Sequence, residues 1–357
     1  MKRGAIAIVA IAIAACTPSQ PKPSPPSVAQ EDAATPVPVV VDAAVEASAP
    51  EPPSVPEDRE KTFAEVLGVL FADRASTASV TEACAESMPP GARVRCLYDE
   101  RYKGDAKAAG LAYEMLTRWR IVAGVEIAHT MNGGYRGEIQ LEPFVPTGAE
   151  RKHLEWAVAA FADFERFFRE LDAYGKDHDA GTAARAYGFR GITYRFTRSK
   201  NVNRPSAYAL DWTIGYNVRG SINLDSEMVR ETLFHEIFHL NDPLHGAGGG
   251  YWSGPALSPI FDAIVAKCGT NSACLAPYTP NETMVRGGTY YSFQPGNGVI
   301  EYAAELALRY YREQRAAMRG LSPKPKAFKC GPPENARAWT LMKDEFFRGI
   351  DATPACP

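Results

Sequence analysis

The feature that most constrains this chain is a pentapeptide, His-Glu-Ile-Phe-His, at residues 235–239. On an α-helix, side chains four positions apart lie above one another on the same face. His235 and His239 can therefore direct two imidazole nitrogens at one point, with Glu236 beside that point. Two histidines and a carboxylate in this pattern are typical of a helix that binds a metal ion and takes a proton from water. The pattern has this meaning only if residues 235–239 are helical.

The flanking residues predict such a helix. Asp225 or Ser226 can cap its amino-terminal end, and Glu227 places a negative charge in the first turn. Apolar residues recur at helical spacing through the segment, at Met228, Leu233, Ile237, Phe238 and Leu240. Pro243 predicts the end of the helix, because the residue before a proline disfavours the helical conformation. Residues 221–224 alternate in polarity, which predicts a short strand leading into the helix.

A catalytic metal site needs three protein ligands and an open position, so a third ligand must come from elsewhere in the chain. Glu301 is the preferred residue, because it begins a second predicted helix, residues 298–319, on which Glu305 follows one turn later. His245 is the alternative, because it follows the first two ligands closely in the sequence. The two choices place the chain in different classes.

With Glu301, the sequence resembles the gluzincins, the thermolysin-like clan of zincin metallopeptidases. Residues 301–305, Glu-Tyr-Ala-Ala-Glu, are similar to the Glu-x-x-Ala-Asp of the CAAX-protease and heat-shock membrane-protease family, with Glu305 where Asp is usual. The resemblance implies an α+β fold: a zincin-like metallopeptidase domain with a small mixed sheet, an HExxH active-site helix and a second Glu-bearing helix. It also implies Zn²⁺ bound by His235, His239 and Glu301, with Glu305 orienting a zinc-binding histidine.

With His245, the spacing is that of the third histidine in the metzincin clan. Asp242 and Pro243 stand where metzincins have a glycine, which permits a backbone turn that most residues resist. The residues around Met284 also depart from the Met-turn of that clan. Glu301 is therefore preferred, and His245 remains the alternative third ligand.

The resemblance implies a zinc-dependent endopeptidase acting on protein or peptide substrates, with Glu236 as general base. The oxyanion formed at the substrate carbonyl needs a partner, and the candidates are Tyr290, Tyr291, Arg286 and His245. The alternatives are a non-catalytic zinc-binding envelope lipoprotein that retains a zincin fold, and an amidase acting on peptidoglycan peptides. The intact Glu236 favours an enzyme, because zinc binding alone needs no base at that position.

The amino-terminal segment has the pattern of a lipoprotein signal peptide, residues 1–15. Two basic residues precede a short apolar run that ends directly before Cys16. This junction resembles a bacterial lipobox, which implies a lipid anchor at Cys16, and Thr17 then implies the outer membrane of a Gram-negative cell envelope. The alternative is an ordinary secretory signal, cut near Ala15, with Cys16 incidental.

Composition predicts the remaining domain organisation. Residues 16–60 are rich in Pro, Ala and Ser, which predicts a disordered tether. Two folded parts are predicted, an amino-terminal subdomain at 61–148 and the catalytic domain at 149–357. The formal net charge of −3 argues against a nucleic-acid partner.

Six of the seven cysteines follow Cys16, an even number that suits an exported, oxidising environment. Proximity in the sequence predicts three disulfides, which are Cys84–Cys96, Cys268–Cys274 and Cys330–Cys356. None of these spacings is that of a zinc finger.

Hydrophobic periodicity predicts further elements around the central helix. Further predicted helices are 62–72, 106–120, 149–174 and 259–268, and predicted strands are 121–130, 137–144, 189–196, 207–216 and 221–224. The first two strands form a hairpin. Strand 221–224 is the predicted edge for an extended peptide substrate. The Gly-rich loop 246–254 has two interpretations, a cover over the cleft or an ordinary surface loop.

Overall fold

The sequence folds into a mixed arrangement of helices and strands in a computed structural model that describes residues 59–132, 138–178, 187–200, 206–285, 288–296, 298–321 and 326–357. The predicted signal peptide, Cys16, the tether as far as residue 58, and Arg286 lie outside the described residues. The predicted α+β class is confirmed.

The helices in chain order are α1 Phe63–Leu70, α2 Ala78–Ala83, α3 Pro90–Arg101, α4 Ala106–Trp119, α5 Lys152–Asp177, α6 Ser226–His245, α7 Ser253–Cys268, α8 Ser272–Leu275, α9 Gly298–Met318 and α10 Pro333–Phe346. The strands are β1 Val122–Val125, β2 His129–Asn132, β3 Glu138–Pro143, β4 Thr193–Ser199, β5 Ala207–Leu210 and β6 Thr213–Asn217. The long predicted helix at 149–174 corresponds to α5. Within the described ranges, no helix is both long and apolar enough to cross a membrane.

One mixed sheet contains all of these strands, in the order β2-β3-β4-β6-β5, with β1 also paired to β4. Strand β4 is parallel to β1 and β6 and antiparallel to β3. The predicted hairpin is only partly correct. Strands β2 and β3 form it, whereas β1 pairs with β4 far along the chain.

The single strand predicted at 207–216 is wrong, because the chain folds back within it. Strands β5 and β6 are antiparallel and Leu210 pairs with Thr213, so Asp211 and Trp212 form a two-residue turn. Both turn residues have positive φ, 47° and 57°. Such a turn matches the twist of the flanking strands. The usual glycine signal for this turn is missing from the sequence.

The strand predicted at 221–224 is also wrong, because these residues form a turn. Asn223 is buried, and its side-chain amide donates to the carbonyl oxygens of Ser206 (2.8 Å) and Asn217 (3.0 Å). These bonds hold residues 221–224 beside Ser206, which directly precedes β5, and beside Asn217, the last residue of β6. Ile222 and Leu224 remain exposed, so their alternation does not reflect a buried strand face.

Helix α6 does not stop before Pro243 as predicted, but continues to His245 with the proline inside it. Side chains of the last turn hold it to neighbouring segments. The Asn241 amide exchanges two hydrogen bonds with the backbone of Gly188, at 2.7 and 2.8 Å. Asp242 is bonded to Ser253 at the start of α7. Tertiary contacts therefore offset the backbone bond that proline removes.

The hydrophobic core joins α5, α6 and α9 through their aromatic side chains. Phe234 of α6 stacks on Tyr311 of α9, with ring centroids 4.3 Å apart, and lies 5.5 Å from Phe164 of α5. The core is continuous across residue 149, because Trp119 of α4 also contacts Phe161 of α5. The described residues all belong to one compact unit, residues 49–357.

The three cysteine pairs predicted from sequence proximity lie at disulfide distance. Their Cα–Cα separations are 5.6 Å for Cys84–Cys96, 5.4 Å for Cys268–Cys274 and 5.3 Å for Cys330–Cys356. The last pair ties the carboxy-terminal segment to the residues that precede α10.

Candidate metal centre

Helix α6 places His235 and His239 on one face. The Asp225 carboxylate caps the helix by accepting the backbone N–H of Met228 at 2.8 Å. His235 and Glu236 are 7% and 8% exposed, so the pentapeptide lies inside the protein and not on a solvated face. A surface helix carrying two histidines by chance would not bury them.

Helix α9 crosses α6 and brings Glu301 to the two histidines. The Phe234–Tyr311 stack and an ion pair between Glu231 and Arg312 fix its register. Both of these contacts join earlier residues of α6 to later residues of α9, so the two helices run antiparallel. The first turn of α9 therefore lies beside His235 and His239.

Three ligand atoms converge at this point. The Nε2 atom of His235 lies 3.1 Å from Oε2 of Glu301 and 3.1 Å from Nε2 of His239. The Nε2 atom of His239 lies 3.5 Å from the same Glu301 oxygen. In a tetrahedral site with ligands about 2.0 to 2.1 Å from a metal, two ligand atoms are about 3.3 Å apart. The observed separations fit that spacing.

Glu305 determines which nitrogen of His235 faces the other ligands. Its Oε1 atom lies 3.3 Å from Nδ1 of His235, so Nδ1–H donates to this carboxylate. The Nε2 lone pair of a neutral His235 then points at the Glu301 carboxylate and at His239. Lone pairs that face one another repel unless a cation or a proton lies between them. The group His235, His239 and Glu301 could therefore hold a metal ion.

The pKa shifts of the metal-free group have the same cause. For Glu301, burial acts to raise the pKa, but hydrogen bonds with His235 and His239 outweigh it and hold the pKa well below its ordinary value. For His235, burial acts to lower the pKa, but Glu301 and Glu305 raise it well above its ordinary value. The carboxylates of Glu301 and Glu305 therefore favour a positive charge between the ligand atoms. A proton or a metal ion can provide that charge, and the two compete for the site.

Glu236 lies beside the ligands without joining them. Burial raises its pKa, and the charges of His235 and His239 oppose that shift only in part. A raised carboxylate pKa suits a residue that must take up a proton and release it again during a reaction.

His245 lies apart from the group formed by His235, His239 and Glu301. Its Nδ1 atom is 2.8 Å from Oε1 of Glu345 on α10, and its ring packs on Phe346 with centroids 4.3 Å apart. The side chain is only 1% exposed. The proline-containing turn of α6 directs His245 toward α10, so the structure brings Glu301 to the histidine pair and does not bring His245.

The two tyrosines proposed as oxyanion partners occupy different surroundings. The Tyr291 ring lies 6.1 Å from the His235 ring, centroid to centroid. Burial raises the pKa of Tyr291, and the charges of Glu301, Glu236 and Glu305 raise it further, so its hydroxyl faces the acidic side of the centre. Tyr290 instead packs against the hydrophobic core, and its backbone bridges to Met284.

The loop that follows α6 is anchored at both ends. A side chain at Gly246 would meet the carbonyl oxygen of Gly250 at 1.7 Å, so the close turn requires glycine there. Trp252 is buried against Phe346, with ring centroids 4.9 Å apart, while Tyr251 is exposed. The sequence analysis missed the buried contact of Asp242 with Ser253 in this region. One feature of the sequence pointed to this region: the acid Asp242 follows the predicted ligand His239 by three positions, which is less than one helical turn.

Comparison with known proteins gives no further information. No protein family, no curated protein and no solved structure among those compared matches this chain.

Proposed function

We propose that the protein is a zinc-dependent peptidase of the zincin type, cleaving internal peptide bonds of proteins or peptides. The observation that supports this most strongly is the convergence of His235, His239 and Glu301 at ligand spacing, with Glu236 next to them in the sequence. Two imidazoles and one carboxylate form a donor set typical of catalytic zinc, which keeps a fourth position for water.

His235, His239 and Glu301 would hold the Zn²⁺ ion, which would supply a Lewis acid for the substrate carbonyl and lower the pKa of a bound water molecule. The Glu236 carboxylate takes the proton of the attacking water and passes it to the leaving amine. Because Glu236 is buried, few solvent molecules can exchange protons with its carboxyl group. Glu305 holds His235 in the tautomer whose Nε2 faces the metal position.

Tyr291 is the proposed donor to the oxyanion. Its hydroxyl stays protonated, because burial and three nearby carboxylates raise its pKa. A protonated phenol can donate a hydrogen bond to the negative oxygen that develops on the substrate carbonyl. Tyr290 is the less favoured candidate, because its partly buried side chain packs against the hydrophobic core.

Strand β5 is the proposed binding edge for an extended substrate. Among the described residues it pairs only with β6, so its other edge keeps free backbone N–H and C=O groups. The strand also contacts α6, the helix that carries the histidines. A peptide can add to such an edge as a further strand. This edge replaces residues 221–224, which form a turn.

The cellular setting is proposed from the sequence alone. A lipid anchor at Cys16, followed by a Pro-rich tether, would attach the enzyme to the cell envelope, in the outer membrane of a Gram-negative bacterium. Its substrates would then be proteins or peptides of that compartment. The alternative remains a non-catalytic zinc-binding lipoprotein, which would bind the metal without hydrolysing peptides.

A peptide-library digestion tests the proposed function. Wild-type protein should cleave library peptides, and a zinc chelator should abolish cleavage. Glu236→Gln should lower the cleavage rate by at least about a thousandfold, because it removes the base, while the zinc content stays at the wild-type level. Equal cleavage by wild type and E236Q would exclude Glu236 as the base. Zinc binding without cleavage by the wild type would favour the non-catalytic alternative.

A further inference from the structure

Asp242 is a buried acid close to the metal centre that the proposed mechanism does not use. It is fully buried, as is Ser253. Its carboxylate accepts the Ser253 backbone N–H at 2.8 Å and the Ser253 hydroxyl at 2.5 Å. Burying a carboxylate is costly in free energy, and two hydrogen bonds from one serine offset only part of that cost. A nearby positive charge would stabilise the buried Asp242 carboxylate further.

The helix places this acid next to a metal ligand. His235, His239 and Asp242 stand at i, i+4 and i+7 of α6, which puts them on one face of the helix. Helical side chains tilt toward the amino-terminal end, so the Asp242 carboxylate leans toward the turn that carries His239. Ser253 holds it in that orientation from the start of α7.

Only one nitrogen of His239 is directed at the other two ligands. Nε2 of His239 points to the metal position, 3.1 Å from Nε2 of His235. No residue in the described part of the chain donates to or accepts from Nδ1 of His239 directly. Burial raises the pKa of the Asp242 carboxyl, and the hydrogen bonds from Ser253, followed by charge on His239 and on His245, oppose that shift in part.

We infer that Asp242, held by Ser253, is a positioning residue that strengthens zinc binding through the ligand His239. A negative charge behind an imidazole makes the ring a better electron donor to a cation. Each ligand histidine then has a nearby acid: Glu305 of α9 contacts Nδ1 of His235 at 3.3 Å, whereas Asp242 acts on His239 through its charge and without a direct hydrogen bond. The inference rests on the proposed zinc site and adds a residue to it.

The effect is reciprocal. A cation bound through His239 stabilises the ionised form of Asp242, and ionised Asp242 raises the affinity for the cation by the same factor. A bound cation would therefore offset part of the free-energy cost of the buried Asp242 carboxylate, in addition to the part offset by Ser253. A purely structural role for Asp242 would show no such coupling.

Zinc affinity of the folded protein tests this inference. Zn²⁺ would be titrated into apo protein in competition with a chromophoric chelator at pH 7, for wild type and Asp242→Asn. The asparagine keeps the size of the side chain and can still bond to Ser253, but it carries no charge. We expect zinc affinity to fall by about tenfold or more.

Asn241→Ala is the matched control, because Asn241 is equally buried in the same turn and ties α6 to Gly188 without a charge. It should lower the unfolding temperature and leave zinc affinity near that of the wild type. Unchanged affinity in D242N, or an equal loss in N241A, would overturn the role of Asp242 and leave the zinc site standing. A wild-type protein that binds no zinc would overturn both the site and this inference.

Substitution with Co²⁺ supplies a second readout. The visible absorption of Co²⁺ reports the donors around the ion, so a change in charge behind His239 should shift the bands in D242N. The bands of N241A should match those of the wild type. Identical spectra in wild type and D242N would contradict an electrostatic role for Asp242.

Discussion

At the scale of single residues, the arrangement around His235 explains why the centre needs a cation. Glu305 fixes one nitrogen as a donor, which leaves the other nitrogen facing Glu301 and His239. A group of lone pairs in a buried position is stable only with positive charge among them. The choice between Glu301 and His245 depends on this arrangement, and spacing in the sequence could not decide it, because Glu301 arrives by packing of α9 on α6.

The first prediction concerns Tyr291. Tyr291→Phe removes the proposed oxyanion donor and keeps the ring beside His235. We expect kcat to fall by about a hundredfold or more, because one lost donor to an oxyanion has an effect of that size. The measurement is steady-state hydrolysis of a peptide substrate, together with zinc content, which should not change.

Tyr290→Phe is the control for this prediction, because Tyr290 packs against the core and lies next to Tyr291 in the chain. Its kcat should stay close to that of the wild type. A larger loss in Y290F than in Y291F would assign the oxyanion role to the other tyrosine.

At the scale of elements, the position of α9 relative to α6 determines the site. Asp163 of α5 accepts hydrogen bonds from Tyr311 and Arg315 of α9 and from Arg319, which directly follows this helix, at 2.8 Å for each arginine. The same acid lies 3.9 Å from Arg230 of α6. One half-buried carboxylate thus joins the three helices whose packing brings Glu301 to the histidines.

The second prediction follows from this junction. Asp163→Asn should lower the free energy of unfolding by about 3 kcal/mol, because it leaves partly buried arginine charges without their partner. Asp172→Asn is the control, since Asp172 is 59% exposed and pairs with Arg348 at the surface. The control should change stability by less than about 1 kcal/mol. Urea unfolding measures both, and equal effects would contradict a special role for Asp163.

The same scale shows which elements a sequence can predict. The cap at Asp225 and the helices α5 and α9 depend on residues close together in the chain, so their local patterns are sufficient. The turn at 221–224 depends on bonds from Asn223 to residues 206 and 217, which only the folded sheet brings near. The β5–β6 hairpin was missed because Asp211 and Trp212 adopt positive φ without a glycine.

At the scale of the whole molecule, a buried histidine couples stability to pH. His153 of α5 lies 2.9 Å from the Tyr216 hydroxyl and 3.2 Å from a Glu150 oxygen, and its side chain is 2% exposed. Burial lowers the pKa of His153 to about 4, and Glu150 opposes that shift. The folded protein therefore keeps this imidazole neutral at pH values where the unfolded chain protonates it.

The third prediction is the resulting loss of stability in acid. Between pH 6.5 and 4 the unfolded chain binds more protons at this residue, so the free energy of unfolding falls as pH falls. The contribution of His153 amounts to about 3 kcal/mol across that window. His153→Gln should remove it, so the variant should lose about 3 kcal/mol less than the wild type between pH 7 and pH 4 in urea unfolding.

His178→Gln is the control for the pH experiment, because His178 is an exposed histidine at the end of α5. Its stability should fall with pH in parallel with that of the wild type. If the free energy of unfolding fell more steeply with pH in H153Q than in the wild type, His153 would not be a buried imidazole that stays neutral in the folded protein.

The zinc content of the purified protein tests the central claim most directly. The measurement is elemental analysis after metal-replete expression, for wild type, Glu301→Ala and His245→Gln, each checked for folding by circular dichroism. We predict about one zinc per chain in wild type and H245Q and little zinc in E301A, because Glu301, and not His245, lies with His235 and His239. Zinc retained in E301A and lost in H245Q, or no zinc in the wild type, would contradict the proposed metal centre.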